Sequence, residues 1–305
     1  MSEEPSRVLA ALGAHLLRGI VGSGRRLLGA RVELHRDDKG RTTPCLSLGT
    51  ARRGTLVFLH GFGDQADSFL PTARLLHQDF RIIVPAMPGF GDGWRDPSEL
   101  HSFAAYARWL GDLLEQVAPA RFHLMGNSLG GASALGIASR MPERVASLTL
   151  VDTAGVRVPD LSCFYDEVES GQNLFEVRSR AAYRRFSERV FASPPPFPRP
   201  VDEYLYSEQV KNADWYARLM TDLHTDSRLV RGEASAVVQL SRLRVPTLVV
   251  WGERDSLFPL AIGQHTAAAI PSAQLHTLPG VGHVPHLESP KRLARAFSAF
   301  APTKA

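Results

Sequence analysis

Only two cysteines, Cys45 and Cys163, occur among the 305 residues. They lie far apart and fit no metal or redox spacing, so neither a disulfide framework nor a zinc module is expected, and both read as buried free thiols. Long hydrophobic runs are missing too. The apolar stretch Val8–Leu17, which includes His15, is about half the length of a bilayer-spanning helix. A secretory signal is not expected, because Glu3 and Glu4 precede that stretch and no small-residue cleavage site follows it. Charge of one sign is scarce: the net charge is +4, and residues 1–53 hold ten Lys or Arg against five Asp or Glu, which leaves the rest nearly neutral. No basic run with interleaved aromatics, zinc finger or helix-turn-helix pattern stands out, so nucleic acid is not an expected partner. HExxH, Walker and dinucleotide patterns are absent, and the chemistry is expected to use no metal and no cofactor. No internal repeat appears.

Hydrophobic residues at 44% suffice for a sizeable core in one catalytic domain with an insertion. Residues 1–29 form a separate N-terminal segment that reads as an amphipathic helix interrupted by glycine. At about 100° per residue, Leu9, Leu12, Leu16, Ile20 and Leu27 share one side, with Arg7, Arg18 and Arg25 nearly opposite. Two readings stay open for residues 1–28. The segment is a helix packed on the catalytic domain or a loose extension, or it lies on a membrane with its arginines toward anionic head groups. The second would place the protein in the cytoplasm, peripheral to the inner face of a membrane.

From residue 30 short apolar runs alternate with helical periodicity. Arg31–Arg36 and Cys45–Leu48 suggest an antiparallel hairpin. Leu56–Leu59, Arg81–Val84, Phe122–Met125, Leu148–Val151, Leu248–Trp251 and Gln274–Leu278 supply six more strands, with helical segments such as Phe103–Val117 and Leu129–Arg140 between them. Eight strands, mostly parallel, with helices on both faces are therefore expected, built from residues 30–154 and 244–305. The alternation fails over 155–243, which is helix-like, carries the proline-rich run Ser193–Pro200 and holds eleven of the 25 aromatics. It reads as a helical cap inserted after the sixth strand, over the strand ends where open α/β sheets bind ligands.

The strongest chemical signal is Gly126-Asn127-Ser128-Leu129-Gly130-Gly131 between a strand and a helix. A serine hydroxyl is a poor nucleophile. It must stand on a sharp turn, flanked by small residues, beside a base and a helix start. Asp255 follows the seventh strand in Trp251-Gly-Glu-Arg-Asp255, and His283 follows the eighth in Gly280-Val-Gly-His283. All three lie at carboxyl strand ends, in the chain order Ser, Asp, His expected of this elbow. Asp152, ending the sixth strand, is the rival acid; His286 and Glu253 are weaker rivals. Leu59-His60-Gly61-Phe62-Gly63 after the third strand offers the N–H of Phe62, which with that of Leu129 would form an oxyanion hole. His60 reads as a hydrogen-bonder shaping that loop.

These stretches, together with Pro88-Gly-Phe-Gly91, Val151-Asp-Thr-Ala-Gly155 and Gly282-His-Val-Pro-His-Leu-Glu-Ser-Pro290, resemble the α/β-hydrolase superfamily and, within it, the monoacylglycerol-lipase-like branch of bacterial esterases and phospholipases. The resemblance spans about residues 30 to 300. It implies the α/β-hydrolase fold, with nucleophile, acid and base at Ser128, Asp255 and His283, and a small-molecule ester or lipid substrate. Ala86 and Gly93 depart from the pattern, where many relatives carry Asp and Ser. Carbon–carbon hydrolysis of diketones on the same triad is the alternative activity, and an inactive binding protein is a more remote one. A serine at the elbow sets aside dehalogenase and epoxide hydrolase chemistry, which use Asp there.

Overall fold

The computed structural model describes residues 4–158, 161–228, 239–271 and 273–302. Its centre is an eight-stranded sheet: β1 (Arg31–Arg36), β2 (Thr42–Gly49), β3 (Thr55–Leu59), β4 (Arg81–Pro85), β5 (Phe122–Asn127), β6 (Val145–Val151), β7 (Thr247–Gly252) and β8 (Ala273–Leu278). The spatial order is β1-β2-β4-β3-β5-β6-β7-β8. β2 runs antiparallel to both β1 and β4, and all other pairs are parallel. The expected strand count and the α/β-hydrolase architecture are both present. Strands β3, β5, β6 and β7 are buried along their whole length, as continuous Val/Leu/Ile runs require when helices cover both faces. β1 and β8 are mostly exposed, because they form the two edges.

Helices α3 (Phe103–Val117) and α4 (Leu129–Arg140) pack on one face, and α2 (Leu70–Leu76) and α10 (Pro290–Phe300) on the other. Ser102 caps α3 by accepting the Ala105 N–H at 3.1 Å. Helix α8 (Leu260–Ala269) joins β7 to β8, and α9 (Pro285–Glu288) precedes α10. Between β6 and β7 lie α5 (Phe164–Glu169), α6 (Arg180–Val190) and α7 (Arg199–Arg228). Prolines 194–196, 198 and 200 explain the break between α6 and α7, since they remove amide donors and fix φ. Residues 159, 160 and 229–238 of this segment lie outside the described residues. Cys45 and Cys163 are buried free thiols. Burial pushes the Cys45 thiol up to about 12, with Glu33 adding to the effect.

The N-terminal helix differs from the sequence reading in two respects. α1 runs unbroken from Arg7 to Leu27 despite four glycines. It packs along α7 through Ala10, Gly13 and Ala14, and a Cβ on Gly13 would sit 1.8 Å from the Pro200 carbonyl oxygen. Close tertiary packing here outweighs the roughly 1 kcal/mol helix cost of a glycine. The Leu12, Leu16, Ile20 and Leu27 stripe stays exposed, joined by Val8. Arg25 is not a free cation, since it forms a two-point ion pair with Asp67 at 2.7 and 2.6 Å. Among the described residues, no helix is long and apolar enough to cross a membrane.

Candidate active site

β5 delivers Ser128 to the first turn of α4 across a bend that leaves no room for a side chain at positions 126 and 130. A Cβ on Gly126 would come 2.2 Å from the Gly130 carbonyl oxygen, and one on Gly130 would come 2.0 Å from that of Leu59. Both contacts are with backbone, so neither glycine is replaceable without moving the turn. Ser128 itself sits at φ 53°, ψ −118°, a conformation that costs an L-residue about 1–2 kcal/mol. Its N–H donates to Val151 O at 3.0 Å, and its carbonyl accepts from Ala132 and Ala154. The bend is thereby tied to the carboxyl end of β6. The Leu129 N–H lies in the first turn of α4, where amides have no intrahelical acceptor.

Asp255 and His283 are brought together from loops after β7 and β8. His283 Nδ1 is 2.8 Å from Asp255 Oδ2, and both residues are buried. The other carboxylate oxygen accepts the N–H groups of Leu257 and Phe258 at 2.8 and 3.1 Å. An ionised Asp255 holds the proton on Nδ1, which leaves Nε2 as the basic nitrogen. The histidine loop is fixed on three sides. His283 N–H donates to Val190 O at 3.0 Å, Gly282 N–H donates to Glu288 at 3.0 Å, and the Asn127 side-chain amide donates to the His283 carbonyl at 3.0 Å.

Asn127 and Glu288 had no role in the sequence reading. Asn127 occupies the variable position before the elbow serine, where residue type carries no motif signal. Its amide also donates to Val151 O, and so joins β6, the elbow and the histidine loop. Glu288 accepts from both Gly282 and Ala192, clamping the histidine loop to the chain just beyond α6. Burial pushes its carboxyl above the usual carboxylate range, while its backbone hydrogen bonds pull the other way.

Two of the rivals fall elsewhere, and the third, Asp152, lies at the site. His286 Nε2 pairs with Asp64 at 3.2 Å. Glu253 is exposed and accepts the Gly280 N–H. Asp152 is buried beside Asp255, and its Oδ1 accepts the Gly252 N–H at 2.8 Å.

His60 holds the loop after β3. Its Nε2 accepts the Met87 N–H at 3.0 Å, while Nδ1 donates to the Gly61 carbonyl at 3.0 Å. That pattern needs the neutral ring, and burial depresses its basicity in the same direction. A Cβ on Gly61 would lie 3.3 Å from Cβ of Ser128, so the loop carrying Phe62 touches the elbow.

A cavity of about 310 Å³ is lined by Ser128, His283 and Phe62. Five of the eleven aromatics between Phe164 and Tyr216 also line it: Phe175, Tyr183, Phe186, Phe191 and Phe197. The others pack elsewhere, as Phe164 and Tyr165 do on Phe258, and Tyr216 on Phe62 and Phe90. Leu17 and Val21 of α1 complete the wall, a contribution that the helix's sequence alone did not signal.

A doubly wound sheet with a strained serine elbow after β5 and a buried His–Asp pair after β7 and β8 defines a class of hydrolases. The family model for the α/β hydrolase fold matches residues 54–290, and the chain belongs to that family. Lipase 1 of Psychrobacter immobilis is 30% identical over 246 residues, covering 80% of this chain and 76% of that protein. A 2-hydroxymuconate semialdehyde hydrolase of Pseudomonas putida is 28% identical over 303 residues, covering 91% and 93%. Among solved structures, a membrane phospholipase A described as a bacterial virulence factor superposes with a TM-score of 0.86 at 28% identity, covering 95% of this chain and 91% of that one.

Proposed function

We propose that the chain hydrolyses carboxylic esters of apolar acyl groups, with Ser128 as nucleophile, His283 as general base and then acid, and Asp255 holding the imidazole tautomer. The observation that carries this reading is the 2.8 Å His283–Asp255 pair, whose histidine shares one largely apolar cavity with the strained Ser128. Ser128 Oγ attacks the ester carbonyl as His283 Nε2 takes its proton. The oxyanion is held by the N–H groups of Phe62 and Leu129. Collapse expels the alcohol, which receives the proton from His283. Water deprotonated by the same imidazole then releases the acid and restores Ser128.

Residues 155–243 serve as the cap that shapes acyl specificity, because their aromatics give large apolar contact with few rotors. Medium acyl chains and monoacylglycerols are expected to outrank acetyl esters in kcat/KM. A p-nitrophenyl ester series tests this. A steady fall from two carbons upward contradicts it. The similarity to a semialdehyde hydrolase favours a second reading, carbon–carbon hydrolysis on the same residues; strong diketone cleavage with negligible ester turnover would establish it instead.

The exposed stripe of α1 supports contact with an anionic membrane surface, with the exposed Arg7 and Arg18 nearly opposite the stripe on the same helix. The helix also lines the cavity through Leu17 and Val21, so lipid reaching Ser128 passes beside it. Changing Leu12, Leu16 and Ile20 together to glutamine is expected to lower partitioning to anionic vesicles roughly 100-fold. Turnover of a water-soluble ester should be unchanged, since none of the three lines the cavity. Equal partitioning by both forms returns α1 to a packing role alone.

A further inference from the structure

Asp152 is a fully buried acid whose place in the site is unexplained by the scheme above. It directly follows β6 at φ 43°, a second strained non-glycine residue beside Ser128. Its N–H continues the sheet to Val250 O at 3.0 Å, and its Oδ1 accepts from Gly252 at 2.8 Å. The other oxygen, Oδ2, is buried without a hydrogen-bond partner among the described residues. One side-chain oxygen each from Asp152 and Asp255, and one ring nitrogen of His283, lie within 4.8 Å of one another. Glu288 is the other acid that faces Asp152.

Two carboxylates this close in a dry site do not both ionise. Asp255 is the one that stays charged, because it accepts two backbone N–H groups and the imidazole N–H. Asp152 accepts a single N–H and faces that charge.

We propose that Asp152 is a positioning residue that carries a proton in the resting enzyme and turns it toward the Asp255 carboxylate. A neutral acid there supplies a donor that restrains the Asp255 carboxylate, and adds no second negative charge beside the imidazole. Burial first, and the Asp255 charge second, push the Asp152 carboxyl well above its ordinary range. The inference rests on Asp255 being the acid of the proposed triad.

Asparagine is the neutral isostere of a protonated aspartate, with an oxygen for Gly252 and an N–H for Asp255. Asp152→Asn is therefore expected to fold and to keep the acid limb of its kcat/KM profile where the unsubstituted enzyme has it. If Asp152 were ionised, the substitution would remove a negative charge near His283, lower the imidazole's proton affinity and carry that limb to lower pH.

Stability gives a readout independent of turnover. Above the unfolded aspartate's pKa of about 4, and up to the raised folded value, the folded protein holds one more proton than the unfolded chain. Its folding constant then falls by up to about tenfold per pH unit through this group. Asp152→Asn lacks that dependence, so its advantage in denaturant midpoint should grow from pH 4 upward and vanish below it. Infrared difference spectra at neutral pH should also show a protonated carboxylic C=O stretch that disappears in Asp152→Asn; Glu288 is the control for assignment. A variant that does not fold, an acid limb moved to lower pH, or a stability gap that does not grow with pH overturns the proposal. If ester turnover is absent altogether, the stability and infrared readings still decide the protonation of Asp152, which separates its failure from that of the ester reading.

Discussion

Ser128→Ala is expected to lower kcat for any ester substrate by on the order of 10⁶-fold, the scale seen when a nucleophile that works as a unit with its base is removed. The fold should survive, because the hydroxyl makes no hydrogen bond that organises the elbow; the turn is held by backbone groups of Ser128, Val151, Ala132 and Ala154. Ser128→Gly should be equally inactive and yet more stable, by about 1 kcal/mol, since glycine adopts φ 53° without the side-chain clash. Kinetics and thermal denaturation on the two variants measure both effects. An active alanine variant, or a glycine variant less stable than the alanine one, would contradict the reading of a strained nucleophile.

The second large effect belongs to Asp255→Asn, for which a loss of about 10⁴-fold in kcat is expected. An amide in place of the carboxylate can donate to Nδ1, which moves the ring proton to Nε2 and removes the base that Ser128 needs. The two backbone amides on Oδ1 remain satisfied by the asparagine oxygen, so the loop after β7 should hold its shape. Asp152→Asn, by contrast, should stay within about tenfold of the unsubstituted enzyme, as expected of a residue acting through Asp255. The reverse ranking in folded, purified variants would move the acid to the end of β6.

Much of this arrangement is legible in the sequence because the signals are local. Val57, Leu124, Leu148 and Val249 sit in short apolar runs with helical periodicity between them, and that pattern can bury itself only as a mostly parallel sheet. Gly126 is dictated by the Gly130 carbonyl four residues on, within the same motif. What stayed hidden depends on approaches between distant segments. Gly13 reads as a helix breaker until Pro200 is set against it. The apolar stripe Leu12, Leu16 and Ile20 leaves open whether it packs or faces a membrane, and the helix packs through smaller residues beside it. Asn127 and Glu288 act through partners 156 and 96 residues away, His283 and Ala192, and Leu17 lines a cavity with Ser128 and His283, both distant in the chain. Periodicity and motif spacing carry no information about such contacts.

The central claim is that Ser128 is the nucleophile of an ester-cleaving enzyme. Reaction of the folded protein with a long-chain fluorophosphonate, followed by peptide mapping, tests it most directly. The account predicts one phosphonyl group per chain, on Ser128 within the peptide containing Gly126-Asn127-Ser128-Leu129-Gly130, with ester turnover falling in step with labelling. Labelling at another serine, or full ester turnover after Ser128 is modified, would contradict it.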